Sequence, residues 1–312
     1  MHTNRLRTSR LDVAYLEHGP AGGAPVLLLH GFPDDATAWR PVMERLGAAG
    51  RRAIAPFIRG CGGADGTRFL GTDTPRAGDF AALGQDAVDL VDTLDLGANG
   101  DLTVVGQDWG SPTAEIVALE RPARVRRLVK CNWYGVYSMA EQAKARAFNY
   151  AQLGSLWYVW MLNTPVGEMA LKFDRAGFAR ALWAEWSPSW DPAARDRALA
   201  LVQGDAGGSF DGDDWVRVAL AAYRAGTSEQ GPLAAEHDPA DDALRARLSQ
   251  APPVRCETRI VRGADDGVER SPLGAEALAR YFPAGATVEA LPGVGHWPQR
   301  EAPDAVAGAV LA

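Results

Sequence analysis

The chain has 312 residues, 47% of them hydrophobic, and its 32 Lys and Arg against 39 Asp and Glu give a formal net charge of −7. An acidic balance without a basic stripe excludes a nucleic-acid-binding protein. The apolar residues suffice for a core, but no run approaches the roughly 18 residues of a membrane span. The start lacks the apolar segment of a secretory signal, and the three cysteines fit neither zinc spacing nor a disulfide framework. We therefore expect a soluble cytoplasmic protein with no metal and no other cofactor.

Short apolar runs alternate with amphipathic stretches in the first third of the chain. Strands are predicted at Leu11–Leu16, Ala24–Leu29, Arg52–Pro56, Leu102–Gly106 and Arg126–Cys131. Helices are predicted between them at Trp39–Ala49, Asp79–Leu94 and Ala114–Glu120. Because strand–helix–strand units pack as right-handed parallel crossovers, this alternation predicts a mostly parallel, doubly wound α/β sheet.

The alternation stops near residue 135 and resumes near residue 250. The stretch between is helix-like and contains Trp157, Trp160, Trp183, Trp186, Trp190 and Trp215. A strand at Glu257–Arg262, a helix at Leu273–Tyr281, a strand at Thr287–Leu291 and a final helix follow. We therefore predict an α/β core in two parts, residues 1–134 and 251–312, with a helical insert at 135–250.

The strongest chemical signal is GQDWG at residues 106–110. It stands between a predicted strand and a predicted helix, as a nucleophile elbow does, and its two glycines permit a sharp turn that raises the middle side chain. The alternative interpretation is a chance match in a Gly-rich chain, with Asp108 as a helix N-cap. The flanking elements favour the elbow, whose middle residue is Asp rather than Ser.

The five histidines narrow the choice of a catalytic base. His2 lies in a terminus that is expected to fray, His18 ends a strand, and His237 lies in an acidic loop. His30 and His296 both follow core strands, at the edge where open α/β sheets bind ligands. We assign His30 to bracing its turn and His296 to catalysis.

A histidine base needs a third group that orients it and stabilises its cation. The segment GADD at residues 263–266 follows the strand at Glu257–Arg262 and supplies a carboxylate. Alone, Asp266-Gly267 is an ordinary turn dipeptide. The chain order of nucleophile, acid and histidine, each after a strand, favours the catalytic interpretation.

The chain resembles the α/β-hydrolase superfamily, and within it the aspartate-nucleophile branch of epoxide hydrolases and haloalkane dehalogenases. The resemblance lies in the segments HGFPDDATAW, GQDWGS, RGADDG and GVGHWP. The insert resembles the cap of that branch more loosely, through WYVWMLNTPVGE and AAYR. The resemblance implies the α/β-hydrolase fold with an inserted helical cap.

The resemblance also implies the roles of single residues. The implied catalytic residues are the nucleophile Asp108, the base His296 and the acid Asp266. Asp266 is preferred over Asp265 because it is the fourth residue of the G-x-x-D pattern. The alternative acid position of the branch is occupied here by Cys131, Asn132 and Trp133. The implied oxyanion hole is formed by the backbone N–H groups of Phe32 and Trp109.

An aspartate nucleophile displaces a leaving group from saturated carbon and forms an ester with that carbon. The histidine then activates water, which attacks the carbonyl of Asp108, and each oxyanion donor contributes about 3–4 kcal/mol. This chemistry excludes an ordinary esterase or lipase. An epoxide oxygen leaves as an alkoxide and needs an acid, whereas a halide needs N–H donors.

Epoxide hydrolases supply that acid from cap tyrosines, and Tyr223 stands where the resemblance places one of them. Packing of Tyr223 against the core is the alternative interpretation. Met161 takes the position of the second tyrosine, with Tyr158 nearby in another register. Tyr150 is a further candidate without motif support.

The residues beside the nucleophile bear on the leaving group. Trp109 is common to epoxide hydrolases and dehalogenases, whereas Phe32-Pro33 favours the epoxide class, because many dehalogenases carry Asn after the HG pair. Trp109 and Pro112 occupy the neighbourhood where fluoroacetate dehalogenases carry Arg, which argues against a haloacid. We expect a small apolar or aromatic substrate. The residues expected to contact it are Trp109, Phe32, Tyr158, Trp157 and Trp186, with the other insert tryptophans packing the cap.

Epoxide hydrolysis to a vicinal diol is the leading hypothesis, and hydrolytic dehalogenation is the alternative within the same mechanism. A non-catalytic binding protein of the same fold is an alternative of another class. A lyase in which Asp108 is not alkylated is a third. No nucleic-acid or membrane partner is expected, and a homodimer is compatible with the sequence.

Overall fold

The computed structural model describes residues 1–132, 154–203, 208–225, 235–268 and 274–312. Within those ranges nine strands form one sheet in the order β1-β2-β4-β3-β6-β7-β8-β9, with β5 paired to β2. The strands are β1 (His2–Arg7), β2 (Leu11–His18), β3 (Pro25–Leu29), β4 (Arg52–Pro56), β5 (Arg68–Phe69), β6 (Leu102–Gln107), β7 (Val125–Cys131), β8 (Glu257–Gly263) and β9 (Ala286–Leu291).

The helices of the described ranges lie on both faces of this sheet and in the insert. Those of the first core part are α1 (Arg40–Ala48), α2 (Phe80–Thr93) and α3 (Gly110–Glu120). Those between β7 and β8 are α4 (Trp157–Leu162), α5 (Pro165–Phe173), α6 (Arg175–Trp186), α7 (Pro192–Gln203), α8 (Asp213–Ala225) and α9 (Asp242–Leu248). Those of the second core part are α10 (Ala275–Tyr281), α11 (Pro298–Glu301) and α12 (Pro303–Leu311).

The strands from β4 to β9 along the sheet are parallel, and the apolar runs of the central strands β3 and β6 are buried. Leu27 and Val104 pack toward α2 and α3, whereas Leu28 and Val105 pack toward α1 and α12. Burial on both faces explains why β3 and β6 are continuously apolar rather than alternating. The predicted mostly parallel, doubly wound α/β sheet is confirmed.

The core strands and helices follow the predicted positions closely, and β4 has the predicted bounds. Two short antiparallel strands, β1 and β5, were not predicted. The expectation that His2 lies in a frayed terminus is wrong, since His2 begins β1 and pairs with Glu17 of β2. An edge strand of this kind is held by backbone hydrogen bonds and by the ion pair of Arg5 with Asp12, so it needs no apolar pattern.

Helices α4 to α8 pack over the carboxyl edge of the parallel strands, whereas α9 packs against α2 and α3 through Leu244. An aromatic and aliphatic cluster joins Leu182 and Trp215 of these helices to Phe32, Trp109 and Trp297 of the core. We call the described residues between β7 and β8 the insert; the predicted bounds 135–250 include residues outside the described ranges. Across the described ranges, no helix combines the length and apolarity that a membrane crossing requires.

Candidate active site

Asp108 lies in a sharp turn between β6 and α3 and has a φ of +52°, a left-handed conformation that is strained for a residue with a side chain. Both glycines of the GQDWG motif are required, because another part of the backbone lies too close to each of them to leave room for a Cβ. A Cβ on Gly106 would lie 2.0 Å from the carbonyl oxygen of Gly110, and one on Gly110 would lie 1.9 Å from that of Leu29. The turn therefore has the geometry of a nucleophile elbow, with a buried carboxylate on it.

Asp108, His296 and Asp266 follow β6, β9 and β8 and meet at the carboxyl edge of the sheet. His296 Nε2 lies 3.3 Å from Asp108 Oδ2, and His296 Nδ1 lies 3.1 Å from each carboxylate oxygen of Asp266. The backbone N–H of Val268 also donates to Asp266 Oδ1 at 2.7 Å, which fixes the carboxylate. The neighbouring Asp265 is exposed. The structure therefore brings the three predicted residues together and separates Asp266 from Asp265.

The imidazole of His296 lies between two carboxylates and is fully buried. Burial alone would lower the pKa of His296. The charge of Asp266 and the hydrogen bonds and charge of Asp108 outweigh burial and raise the pKa of His296 to about 10. At neutral pH the resting site therefore holds an imidazolium between two carboxylates.

The predicted oxyanion hole borders Asp108 Oδ1, the other oxygen of the predicted nucleophile. The backbone N–H of Phe32 donates to Asp108 Oδ1 at 2.8 Å. A Cβ on Gly31 would lie 2.4 Å from Asp108 Oδ1 and 2.6 Å from the backbone nitrogen of Trp109. Only glycine fits at position 31, because a Cβ there would overlap the Asp108 carboxylate and the backbone nitrogen of Trp109, the second predicted donor.

Two tyrosines of the insert contact each other beside Trp109, and Tyr223 is close enough to Asp108 to be affected by its charge. The ring of Tyr223, on α8, lies 5.4 Å from that of Trp109 and 5.5 Å from that of Tyr158, on α4. Desolvation, with the charges of Tyr158 and Asp108, raises the pKa of Tyr223 well above its ordinary value, against a smaller opposing effect of its hydrogen bond with the Trp109 side chain. Tyr223 therefore stays protonated and keeps a hydroxyl that donates.

Tyr158, the tyrosine predicted to lie near the Met161 position, contacts Tyr223. It lies one helical turn before Met161 on α4, and its buried ring contacts both Tyr223 and Trp186 at centroid distances of 5.5 and 4.9 Å. Although Met161 replaces the expected second tyrosine, the site still contains two tyrosines, Tyr158 and Tyr223. Tyr150 lies outside the described residues.

The other predicted contact residues differ in their distance from the reacting atoms. Trp186 lies 4.9 Å from the His296 ring, centroid to centroid. Trp157 is half-buried behind Tyr158, at 6.2 Å, and its indole N–H donates to Glu185 Oε2 at 2.7 Å. Trp186 therefore lines the site directly, and Trp157 supports the tyrosine. Among the remaining insert tryptophans, Trp160 is 49% exposed.

His30 braces its turn, as its assignment requires. Its Nε2 accepts the backbone N–H of Ile58 at 3.1 Å, and its Nδ1 lies 3.0 Å from the carbonyl oxygen of Gly31. Burial lowers the pKa of His30, so the ring stays neutral. His30 thus holds the strand-end loop that carries the Phe32 amide.

Four side chains that sequence reasoning did not single out hold the His296 loop. The backbone N–H of His296 donates to Ser187 Oγ at 2.7 Å, and its carbonyl accepts from Gln107 Nε2 at 2.9 Å. Asn132 Nδ2 donates to the carbonyl of Gly295 at 2.9 Å. Glu301 Oε2 accepts the backbone N–H of Gly295 at 2.9 Å. Gln107 stands inside the predicted motif, but no sequence pattern marks Ser187.

The model of the alpha/beta hydrolase family matches residues 26–309. The chain belongs to the alpha/beta hydrolase family. A solved structure from Klebsiella pneumoniae, described as a candidate epoxide hydrolase, is 32% identical with a TM-score of 0.83, and the match covers 99% of this chain and 96% of that one. A Pseudomonas aeruginosa structure of the same description has a TM-score of 0.71 at 22% identity and shows the fold alone.

Curated relatives carry two names. A haloalkane dehalogenase of Mycolicibacterium paratuberculosis is 36% identical over 160 residues, 51% of this chain and 48% of that protein. An epoxide hydrolase 2 of Siraitia grosvenorii is 38% identical over 119 residues, 38% of this chain and 34% of that protein. The chain thus spans about half or less of the length of these relatives. It is similar to epoxide hydrolases and haloalkane dehalogenases alike.

Proposed function

We propose that this alpha/beta hydrolase opens epoxides of small apolar or aromatic molecules to vicinal diols, through an ester between the substrate and Asp108. The observation that carries the proposal is a pair of tyrosines: the Tyr223 ring lies 5.4 Å from that of Trp109, next to Asp108, and the Tyr158 ring lies 5.5 Å from that of Tyr223. A halide leaves without taking a proton, whereas an epoxide oxygen must be protonated as it leaves, and a phenol can supply that proton. The aromatic rings around Asp108 suit an apolar substrate.

The two oxygens of Asp108 have different neighbours, which assigns them different parts in the reaction. Oδ1 is held by the Phe32 N–H, so Oδ2 attacks the epoxide carbon. The carbon–oxygen bond of the ring breaks, and a tyrosine gives its proton to the departing oxygen. The insert acts as a cap in this step, because it supplies both tyrosines and excludes water.

Formation of the ester prepares the base for the second step. Alkylation neutralises Asp108 and removes one of the two carboxylates that raise the pKa of His296. The imidazolium then loses its proton more readily, and the neutral ring takes a proton from water that attacks Asp108 Cγ. Negative charge develops on Oδ1, where the Phe32 and Trp109 amides stabilise it. Collapse breaks the bond between Asp108 Cγ and the substrate oxygen, and that oxygen takes the remaining proton of the attacking water, which releases the diol and restores the carboxylate. The proton that the imidazolium lost earlier goes to the tyrosinate, and the proton taken from water restores the imidazolium.

The first test is intact-protein mass spectrometry of His296→Gln mixed with styrene oxide, a linear terminal epoxide or an alkyl bromide. Without the base the ester accumulates, and we expect a mass gain equal to the whole epoxide on the Asp108 peptide. The matched control is His237→Gln, which alters an exposed histidine paired with Asp242 and should turn over like the unmodified protein.

Each other outcome assigns a different activity. A gain equal to the alkyl group alone, seen only with the bromide, makes the protein a haloalkane dehalogenase. No adduct from any of these compounds, with the variant folded by circular dichroism, overturns ester catalysis at Asp108 and favours a binding protein or a lyase.

A further inference from the structure

Ser187 follows α6 and lies where the insert meets the loop of the base. Its side chain is fully buried. Ser187 Oγ accepts the backbone N–H of His296 at 2.7 Å and donates to Glu301 Oε1 at 2.7 Å. A Cβ on Gly295 would lie 2.3 Å from Ser187 Oγ. The insert thus touches the backbone of the base directly, at a point where only glycine leaves room.

The carboxylate of Glu301 completes the arrangement on the same loop. Its Oε2 accepts the backbone N–H of Gly295 at 2.9 Å, and its Oε1 accepts that of Trp297 at 3.1 Å. With the Ser187 hydroxyl between them, consecutive backbone N–H groups at 295, 296 and 297 all have acceptors. Acceptors on consecutive N–H groups fix the direction of the backbone, and with it the direction of the imidazole.

The same end of α6 also contacts the loop of the acid. The backbone N–H of Gly267 donates to the carbonyl of Trp186 at 3.0 Å, next to Asp266. A Cβ on Gly267 would lie 2.1 Å from the carbonyl oxygen of Glu185. Residues 185–187 therefore lie between the acid loop and the histidine loop and set the distance between them.

We propose that Ser187 is a positioning residue for His296, through which docking of the insert holds the base between Asp108 and Asp266. This inference rests on the proposed function, in which His296 acts only on the ester. Misplacement of a catalytic group by about 1 Å costs on the order of 100-fold in rate. Loss of the hydroxyl therefore slows hydrolysis of the ester and spares its formation.

The experiment compares Ser187→Ala with Ser209→Ala. Ser209 is also a buried serine of the insert, and its hydroxyl donates to a core carboxylate, Asp35, away from His296. Single-turnover mixing with styrene oxide gives the rates of ester formation and ester loss separately. For Ser187→Ala we expect ester loss to fall about 10- to 100-fold with ester formation within about twofold; for Ser209→Ala we expect neither rate to change. Equal slowing of both steps in Ser187→Ala, or the same pattern in Ser209→Ala, overturns the positioning role.

A second readout does not depend on turnover. In protein labelled with ¹⁵N-histidine, the pKa of His296 should fall toward its ordinary value in Ser187→Ala, because the ring moves away from the two carboxylates. An unchanged pKa overturns the inference. A changed pKa without any adduct in His296→Gln keeps the positioning role and removes the proposed function, so the two failures are distinguishable. If Ser187→Ala does not fold, Glu301→Gln tests the same contact alone; if both variants fold, the effects of the two substitutions should be less than additive.

Discussion

At the residue scale, the site is defined by which groups carry protons at rest. The two carboxylates favour the charged form of His296, and desolvation and neighbouring negative charge disfavour the phenolate of Tyr223. In the proposed reaction, Tyr223 is then ready to act as the acid of the first step, and His296 becomes the base of the second step once it loses its proton. The proposed nucleophile Asp108 links the two steps, because its charge is lost when the ester forms.

Removal of the acid should affect one step only. In Tyr223→Phe, ester formation with an epoxide should slow by about 10²- to 10⁴-fold, the usual contribution of general acid catalysis, with ester loss unchanged. Tyr158→Phe should act in the same direction. Stopped-flow mixing with styrene oxide measures both steps, and Tyr15→Phe, a buried tyrosine of β2, is the control. Undiminished ester formation in both site variants would remove the tyrosines from the mechanism.

Some of these residues can be predicted from the sequence and others cannot. The difference is whether the residues next to them in the sequence form a recognisable pattern. Asp108 is marked by its two glycines, and His296 and Asp266 are marked by strand ends in a fixed chain order. Tyr158 belongs to a loosely matching segment, so its register was uncertain until α4 placed it beside Tyr223. Ser187 acts through the backbone N–H of His296, which is far away in the sequence, and no sequence pattern around Ser187 predicts that contact.

At the element scale, the elbow between β6 and α3 brings the backbone of α3 into close contact with the backbone at the end of β3. Gly110 lies where α3 meets the end of β3, and a methyl group there would overlap the Leu29 carbonyl. Gly308 of α12 is the opposite case, because a Cβ there would have nothing within 4 Å. Two glycines of the same core are thus under different constraints.

The two alanine variants should therefore shift stability in opposite directions. Gly110→Ala should lower the free energy of unfolding by about 1–3 kcal/mol or more, because β3 and α3 must separate. Gly308→Ala should raise it by about 0.5–1 kcal/mol through helix propensity. Urea denaturation followed by tryptophan fluorescence measures both. A stabilised Gly110→Ala would contradict the close packing of the elbow.

The pattern-based prediction succeeded for elements whose pattern reflects burial. The central strands β3 and β6 are apolar because both faces are covered, and α1 and α2 each bury one apolar face. By contrast, β1 has mostly polar residues and is held by backbone pairing and by polar side-chain contacts such as Arg5 with Asp12, so its sequence resembles a loop.

At the scale of the whole molecule, the charged site couples stability to pH. The pKa of His296 is raised to about 10 in the folded state, against about 6.5 for an unfolded histidine. Between these values the folded protein binds the extra proton, so its contribution is complete below about pH 6.5 and is lost as the pH rises through 10. Its full size is on the order of a few kcal/mol.

Comparison with His296→Gln isolates this contribution, because other titrating groups are common to both proteins. The difference in the free energy of unfolding between the two should shrink steadily from pH 6.5 to pH 10. Urea titrations at intervals across that range measure it. A difference that stays constant with pH would place the pKa of His296 near its ordinary value.

The contacts around His296 also bear on the order in which the protein acquires its activity. Gln107, Asn132, Ser187 and Glu301 are far apart in the sequence, yet they all hold the backbone at residues 295 and 296. Contacts between distant segments close large loops and form late in folding. The elbow, by contrast, is built from neighbouring residues. During refolding, we therefore expect Asp108 to reach its position early and His296 to reach its position last. Activity should then recover later than the hydrophobic core forms.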